Sequence, residues 1–423
     1  MTALHWWQAA KRPFCNACQS SPIRFLIALS LNTQNTSIEA REFWVASRDN
    51  PVIDVRTPSE FGAGHIPGAM NVPLFSDDER AAIGTLYANE GHDAAVMEGL
   101  RIVGPKMSVL AESARAIVAD HKPDERPSEE QQSDSASELP SVLVHCWRGG
   151  MRSQSMAWLM GVAGLQPRVL TGGYKSFRRL AQTSVNQRWN LHVVSGLTGA
   201  GKTRILTALR QAGEQVCDLE ALANHRGSAY GGIAQGDQPT TEQFENDLFA
   251  CLDRFANDRP IWVEDEGNRI GRVVVPQTFY EQVRHAPAVF LDVDLPRRVD
   301  NLMVDYQQLP VDGLILATQK IRKRLGGRKA DEAIAAIEAG DLQTAVEITL
   351  SYYDRTYTKA ANKMPRATMK SLPTDNLSDE QIVAECLKLA GMFDGFQEEF
   401  VSYSTQRGSQ RPRSTRPKVD STL

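Results

Sequence analysis

The sequence lacks any long apolar run, and it has few cysteines. No run approaches the roughly 18 consecutive apolar residues that mark a membrane-spanning helix, and the longest N-terminal run covers only residues 25–29. No clear signal-peptide cleavage site accompanies that run. Six cysteines in 423 residues are too few for a disulfide framework. These absences predict a protein of the reducing cytoplasm with no membrane partner.

An excess of charge of one sign is also absent. The net charge is −4, with 47 Lys plus Arg against 51 Asp plus Glu. This balance gives no global signal for nucleic-acid binding, so any such surface must be local. The length predicts two or three domains and leaves the oligomeric state open.

Three segments carry little apolar patterning. Residues 1–37 hold Cys15 and Cys18, a lone CxxC whose role stays open because no second pair or matching histidines follow nearby. Residues 122–140 are rich in Pro, Ser, Glu and Gln, and residues 401–423 are polar and basic. Such compositions have too few apolar side chains to build a core. We therefore expect a poorly ordered extension, a disordered insertion and a disordered tail.

One cysteine lies on a turn between a predicted strand and a predicted helix. The apolar residues 142–144 precede the turn, and a helical pattern begins at residue 153. The turn contains one cysteine, two arginines and two glycines: Cys146, Arg148, Arg152, Gly149 and Gly150. Backbone N–H groups and a helix N-terminus favour an anion and a thiolate at such a position. We predict Cys146 as a nucleophile, with both arginines in the catalytic set and the glycines in an anion-binding loop. A buried structural cysteine is the alternative.

The segments around this turn resemble the rhodanese domain. The resemblance rests on residues 54–61, DVRTPSEF, on residues 64–73, GHIPGAMNVP, and on the cysteine loop itself. It implies a parallel sheet flanked by helices and a cysteine that carries sulfur or selenium covalently. Arg152 lies six positions after Cys146, one more than in common single-domain rhodaneses. That longer loop is similar to the loop of rhodanese-like phosphatases, so phosphatase activity remains an alternative interpretation.

A second motif follows in its own strand–loop–helix context. Residues 191–195 form an apolar strand pattern, residues 196–203 read GLTGAGKT, and a helical pattern comes next. This is a complete P-loop, with the following predicted diphosphate-binding residues: Gly196, Gly199, Gly201, Lys202 and Thr203. Its backbone N–H groups and lysine bind a phosphate chain, and Thr203 is the expected position for Mg²⁺. The motif alone does not distinguish ATP or GTP from another diphosphate.

Two further sets of residues are candidates for the same site. Glu264 and Asp265 end an apolar strand pattern, and we expect one of them to be the acidic partner on the magnesium side. Simple solvation of a strand end is the alternative. His225, Arg226 and Ser228 lie on a glycine-containing loop, which predicts a surface that faces substrate. Local hydrogen bonding within that loop is the competing interpretation.

The strand and helix patterns alternate along most of the chain, which is typical of an α/β fold. We predict a rhodanese-like domain over residues 38–184, with a parallel sheet, flanking helices and the insertion at 122–140. A P-loop NTPase-like α/β domain with a helical C-terminal part is predicted over residues 185–400.

The two domains together resemble bacterial tRNA 2-selenouridine synthases over residues 38–395. The resemblance also rests on five shorter stretches, at residues 78–85, 172–175, 218–220, 225–229 and 264–266. It implies a selenium transferase that replaces the 2-thio sulfur of wobble 2-thiouridine in tRNA. The implied route is S-geranylation with geranyl diphosphate, then selenation with selenophosphate, with selenium carried on Cys146. A sulfurtransferase or regulatory module fused to a small-molecule kinase is the alternative.

Overall fold

The computed structural model describes residues 36–122, 139–233, 235–363 and 368–392. The chain separates into two compact units, one of residues up to Val185 together with Glu242–Ala250, the other of Asn186–Thr241 and the chain from Cys251 onward. Cys15, Cys18, most of the predicted insertion and the basic tail lie outside the described residues. The predicted extension runs slightly too far, because a strand already begins at Thr36 and pairs with Arg168. Two of the three residues of this strand are the polar Thr36 and Ser37, so the sequence shows no apolar strand pattern there.

The first unit contains a five-stranded parallel sheet. Its strands are β1 Thr36–Ile38, β2 Val52–Asp54, β3 Met70–Asn71, β4 Ser141–His145 and β5 Gln166–Leu170. Their order is β1-β5-β4-β2-β3, which places β4 at the centre. Four of the five β4 residues are buried, as expected for a strand covered on both faces.

Helices surround this sheet. They are α1 Ala40–Ala46, α2 Pro58–Ala63, α3 Asp77–Glu90, α4 His92–Val103, α5 Met107–Asp120, α6 Met151–Val162 and α7 Gly173–Val185. Two of them begin with capping boxes, at Thr57 with Glu60 and at Ser76 with Glu79, which satisfy backbone N–H groups of the first turn. The core beneath α5 and α6 includes Leu110, Val144 and Met156.

The segment Glu242–Ala250 belongs to the first unit by packing. Phe249 lies 5.1 Å from Trp44 and 5.7 Å from Phe177, measured between ring centroids. Asn246 donates to the backbone oxygen of His65 at 2.8 Å. Large aromatic side chains bury much surface, so these contacts explain why a segment distant in sequence joins this core.

The second unit is also a parallel sheet with helices. Its sheet contains β6 Leu191–Gly196, β7 Gln215–Val216, β8 Ile261–Glu264, β11 Ala288–Asp292 and β12 Met369–Pro373, in the order β12-β11-β6-β8-β7. A separate antiparallel pair is formed by β9 Arg269–Ile270 and β10 Val273–Val274. The central strand β6 is buried along its whole length.

The helices of this part of the chain are concentrated towards its C-terminal side. They are α8 Lys202–Gln211, α9 Leu219–Leu222, α10 Thr241–Leu252, α11 Gln277–His285, α12 Leu295–Tyr306, α13 Val311–Leu325, α14 Gly327–Glu338, α15 Leu342–Lys363 and α16 Asp379–Gly391. Among the described residues no helix is long and apolar enough to cross a membrane. The predicted α/β class is confirmed for both units. In each sheet the central strand leads directly into the motif found in the sequence, where open α/β sheets place their ligands.

Candidate functional site

The cysteine loop joins the central strand β4 to helix α6. Cys146 is the first residue after β4, its exposure is 3%, and its Sγ lies 3.2 Å from Ser153 Oγ. Ser153 Oγ also donates to the carbonyl of Gly150 at 3.1 Å. A hydroxyl has one proton and can rotate, so Ser153 can accept from a thiol or donate to a thiolate. The serine is therefore a built-in partner for both charge states of the cysteine.

The N-terminus of α7 fixes the same loop from its other side. Tyr174 N donates to the Cys146 carbonyl at 2.8 Å, and Lys175 N donates to the Trp147 carbonyl at 3.1 Å. A Cβ on Gly173 would lie 2.5 Å from both Cys146 O and Gly149 N, so only glycine fits there. The loop is thus held rigidly between two helix N-termini, whose positive potential favours bound anions.

The two predicted arginines differ in their surroundings. Arg148 is exposed on the loop. The side chain of Arg152 is 18% exposed, and its guanidinium donates to both Glu60 oxygens, at 2.7 and 3.3 Å. Burial acts to raise the pKa of Glu60, but the hydrogen bonds from Arg152 and from the Thr57 backbone outweigh it and lower that pKa. The Glu60 carboxylate is therefore ionised and partly neutralises Arg152.

A buried polar cluster supports the loop from below. Asp54 and Arg56 are 0% exposed, and the Arg56 guanidinium donates to both Asp54 oxygens, at 2.6 Å for the shortest bond. Arg56 also lies 3.8 Å from the centroid of the Tyr174 ring. Burial lowers the pKa of His145, the neighbouring residue on β4, so that histidine is neutral. The Asp54–Arg56 ion pair is fully buried and stabilises the ends of the strands.

The P-loop follows the central strand of the second unit. Lys202 Nζ lies 3.4 Å from the Gly196 carbonyl and 3.8 Å from Glu266 Oε1. Gly199 has φ +82°, and a Cβ there would lie 2.7 Å from the Arg298 carbonyl. Both the left-handed backbone and the close contact require glycine. All five predicted P-loop residues line one cavity.

Two carboxylates that the sequence analysis did not select lie at the P-loop. Glu220 Oε2 accepts from Thr203 Oγ1 at 3.3 Å, and Glu220 and Glu266 are hydrogen-bonded to each other. Burial and the neighbouring Glu266 carboxylate raise the pKa of Glu220 to about 8. Within the described residues no three acidic, histidine or cysteine side chains form a metal cluster. The oxygen atoms of Thr203 and Glu220 still suit Mg²⁺, which typically takes one or two protein ligands beside phosphate oxygens and water.

The structure gives Glu264 and Asp265 other partners. Glu264 is 2% exposed, accepts from the Glu220 backbone N–H at 2.6 Å, and has a pKa raised well above its usual range by burial. Asp265 lines the cavity, accepts from Ser195 Oγ at 2.7 Å and pairs with Arg284 at 3.1 Å. Glu264 thus positions the Glu220 backbone, whereas Glu220 and Glu266 face Thr203 and Lys202.

Only a part of the predicted substrate loop lines the cavity. Arg226 and Ser228 line the P-loop cavity, and Arg226 pairs with Asp305 at 2.8 Å. His225 is absent from that lining, and burial lowers its pKa. A tight turn joins these residues, since the Gly231 N–H donates to the Ser228 carbonyl at 3.0 Å. The loop therefore presents one cation and one hydroxyl to the cavity.

The cavity beside the P-loop has a volume of about 640 Å³. Its polar lining comes from the P-loop with Glu220 and Glu266, and also from Arg226, Asn301 and Asp305. Its apolar and aromatic lining includes the following residues: Tyr230, Ile233, Leu302, Tyr306 and Leu309. A ligand that joins a phosphate group to an apolar group matches both kinds of lining.

Comparisons with known proteins match a part of each unit; the rhodanese-like match ends at residue 103, before the cysteine loop, and the second match includes the P-loop. Residues 189–378 match the family model of the tRNA 2-selenouridine synthase AAA domain, and residues 39–103 match that of the rhodanese-like domain. The tRNA 2-selenouridine synthase of Bdellovibrio bacteriovorus is 36% identical, over 69% of this chain and 80% of the relative. The proteins of the same name from Nitrosomonas europaea and Bordetella bronchiseptica are 32% and 36% identical, and 76% and 82% of their lengths are covered. With such relatives matched along most of their length, this chain belongs to the tRNA 2-selenouridine synthase family.

Proposed function

We propose that this protein replaces the 2-thio sulfur of wobble 2-thiouridine in tRNA with selenium. The observation that carries the proposal is the presence, in one chain, of a buried cysteine between two helix N-termini and a complete P-loop beside an apolar cavity wall. A plain sulfurtransferase has no need of the second feature, and a plain nucleotide kinase has no need of the first. The names of the curated relatives support the same activity.

The first proposed step is S-alkylation by geranyl diphosphate in the P-loop unit. The thiouridine sulfur attacks carbon 1 of the geranyl group, the carbon–oxygen bond breaks, diphosphate leaves, and the uracil N3 proton passes to solvent. Lys202 and the P-loop N–H groups neutralise the charge that develops on the leaving diphosphate. The apolar side of the cavity accommodates a hydrocarbon chain better than a ribose, which favours a prenyl diphosphate over ATP.

Thr203 and Glu220 are the residues that would hold a Mg²⁺ ion in this step. When bound, the ion neutralises charge on the diphosphate. The carboxyl of Glu220 has to lose its proton to serve as a ligand, and its raised pKa makes this a pH-dependent event.

The second proposed step is selenium transfer in the cysteine unit. Alkylation turns a poor sulfur leaving group into a good one, so selenium bonds to carbon 2 of the base and geranylthiol departs. Cys146 is the proposed nucleophile that carries selenium. Its thiolate bonds to the selenium of selenophosphate while the P–Se bond breaks and phosphite leaves. The outer selenium then attacks carbon 2 as geranylthiolate departs, and a small thiol reduces the S–Se bond to free the selenouridine and the cysteine. Arg148, Arg152 and the amides next to Gly149 and Gly150 form an anion site of the kind that binds such a donor.

Purified protein, 2-thiouridine tRNA, geranyl diphosphate, selenophosphate and a small thiol reductant test this division of labour. Nucleoside mass spectrometry should find S-geranylthiouridine and 2-selenouridine with the wild type, and only S-geranylthiouridine with Cys146→Ser. Cys386→Ser, which alters a buried cysteine of the second unit, should retain both products. Wild-type amounts of 2-selenouridine from Cys146→Ser would refute the role of the cysteine. ATP turnover with no change in tRNA would instead favour a kinase fused to a rhodanese-like module.

A further inference from the structure

Two packed tyrosines belong to the apolar lining of the P-loop cavity. Tyr230 and Tyr306 line the cavity, are 4% and 8% exposed, and have ring centroids 5.0 Å apart. Tyr230 Oη shares a buried hydrogen bond of 2.8 Å with Thr318 Oγ1. The Tyr230 hydroxyl is therefore satisfied within the fold, which leaves the Tyr230 ring as an apolar part of the lining.

The same two tyrosines also line a second, largely apolar void. It is lined by Tyr230 and Tyr306 together with Leu314, Ile337 and Val346, among others, and its volume is only about 10 Å³. The two tyrosines thus separate the large cavity from the interior of the helical part. Among the described residues only these two line both spaces, so we expect removal of either ring to join them.

Nearby contacts make this partition rigid. Tyr353, another cavity residue, accepts a hydrogen bond from the Ala229 N–H at 2.9 Å through its hydroxyl. Val299, Leu314 and Val346 belong to the same buried cluster as both rings. Interiors of this kind are close-packed, so a chain that reaches the rings cannot displace them cheaply.

We infer that Tyr230 and Tyr306 are the floor that limits the length of the isoprenoid chain accepted by the P-loop cavity. This inference rests on the proposed function, in which a prenyl diphosphate has its diphosphate at Lys202. The chain then extends along Ile233 and Leu309 and stops at the tyrosine rings. The two residues determine specificity among prenyl diphosphates and take no part in bond breaking.

Competition between prenyl diphosphates tests whether the two tyrosines limit the length of the accepted chain. Dimethylallyl, geranyl and farnesyl diphosphates, with five, ten and fifteen carbons, are offered together with 2-thiouridine tRNA, and the S-alkylated nucleosides are counted by mass spectrometry. Tyr306→Ala should raise the farnesyl-to-geranyl ratio of kcat/KM about ten-fold or more, as hydrophobic pockets discriminate by roughly that factor per group. Ile233→Trp narrows the cavity in front of the floor and should shift the preference towards dimethylallyl diphosphate.

Two control variants distinguish a change in the preferred length of the prenyl donor from a general loss of structure. Tyr306→Phe keeps the ring and should keep the wild-type ratio. Tyr280→Ala removes a tyrosine of the same unit that does not line the cavity, and it should also keep that ratio. The binding of inorganic diphosphate, followed by calorimetry, confirms that each variant retains a folded P-loop.

The outcomes distinguish this inference from the proposed function. A wild-type ratio in both Tyr306→Ala and Ile233→Trp, with diphosphate binding intact, overturns the floor while geranylation by the wild type still supports the function. If Tyr306→Ala does not fold, the direction of the shift in Ile233→Trp decides alone. Weaker ATP binding in Tyr306→Ala, with no change in the prenyl ratio, would mean that the rings stack on a base and would also overturn the floor. Failure of the wild type to alkylate with any of the three prenyl donors would refute the proposed function itself.

Discussion

Arg152 donates to both carboxylate oxygens of Glu60, at 2.7 and 3.3 Å, so the last arginine of the cysteine loop already has an anionic partner. In the proposed complex, selenophosphate would share this guanidinium with Glu60. Hydrogen bonds to charged groups contribute about 1.5–3 kcal/mol. Arg152→Ala should therefore raise the selenophosphate concentration for half-maximal selenation by about 10–100-fold.

The measurement for Arg152 uses S-geranylthiouridine tRNA, so that only the second step is observed. Geranylation by Arg152→Ala should be unchanged. Arg168 forms a comparable pair with Glu42 at 2.6 Å on strand β5, and Arg168→Ala is the matched control. An unchanged selenophosphate dependence in Arg152→Ala would remove the arginine from the donor site.

Lys202→Ala should block the first step. The lysine faces the leaving diphosphate in the proposed complex, and the loss of one such stabilising contact typically costs about 10²–10³ in rate. Rates of geranylation without ATP, measured for Lys202→Ala and for Cys146→Ser, should fall only in the former. Lys388, which pairs with Glu385 on the surface, provides the matched control. Normal geranylation by Lys202→Ala, or an ATP requirement in the wild type, would contradict the diphosphate assignment.

The carboxyl of Glu220 predicts a pH dependence for Mg²⁺–diphosphate binding. Burial and Glu266 raise its pKa to about 8, so the carboxyl is mostly protonated below that pH and ionised above it. Because Mg²⁺ binds the ionised form, affinity should increase as the pH rises from about 6.5 towards 8.5 and then level off. Calorimetry over this range checks the prediction.

Glu220→Gln removes that titrating group. The variant should bind Mg²⁺–diphosphate weakly at every pH. The ratio of the wild-type affinity to the variant affinity should follow the titration of Glu220, because the ionisation of diphosphate affects both proteins equally and cancels in the ratio. Glu347→Gln, at an exposed residue of α15 paired with Gln343, should behave as the wild type. A ratio independent of pH would show that Glu220 does not meet the ion.

The buried pair of Arg56 and Asp54 predicts a stability effect. Removing one partner of a buried ion pair leaves an uncompensated charge and costs about 3–5 kcal/mol. Arg56→Leu should therefore lower the Tm of the first unit by roughly 10 °C. Arg168→Leu breaks a partly exposed pair and should cost at most about 1 kcal/mol. Equal Tm values for the two variants in calorimetry would contradict the supporting role of the buried pair.

The sequence predicted the two motifs because each is local. Cys146 lies between the apolar strand β4 and helix α6, and Lys202 begins helix α8 directly after the apolar strand β6 and its loop, so each motif is contiguous in the chain. The central position of both strands was not predictable, since strand order depends on contacts between distant segments. The α/β class followed from the alternation of patterns and is confirmed.

The carboxylates at the P-loop were harder to predict for the same reason. Glu220 and Glu266 are 46 positions apart and meet only because β7 and β8 are neighbours in the sheet. The sequence pointed to Glu264 and Asp265 because they come first after the strand pattern. In the structure Glu264 is the last residue of β8 and is buried, whereas Glu266 lies two residues beyond the strand, where its carboxylate is 3.8 Å from Lys202.

The segment Glu242–Ala250 gave no signal at all of its place in the first unit. Its apolar residues fit an ordinary amphipathic helix, and periodicity does not reveal which sheet a helix covers. The partners of Phe249 are Trp44 and Phe177, far away in the chain.

We propose above that this chain makes 2-selenouridine in tRNA through Cys146. Mass spectrometry of tRNA nucleosides from cells that lack the gene, complemented with the wild type or Cys146→Ser, tests it most directly. We predict no 2-selenouridine without the gene, recovery with the wild type, and S-geranylthiouridine without 2-selenouridine with Cys146→Ser. Normal 2-selenouridine in cells that lack the gene, or in cells with only Cys146→Ser, would contradict the claim.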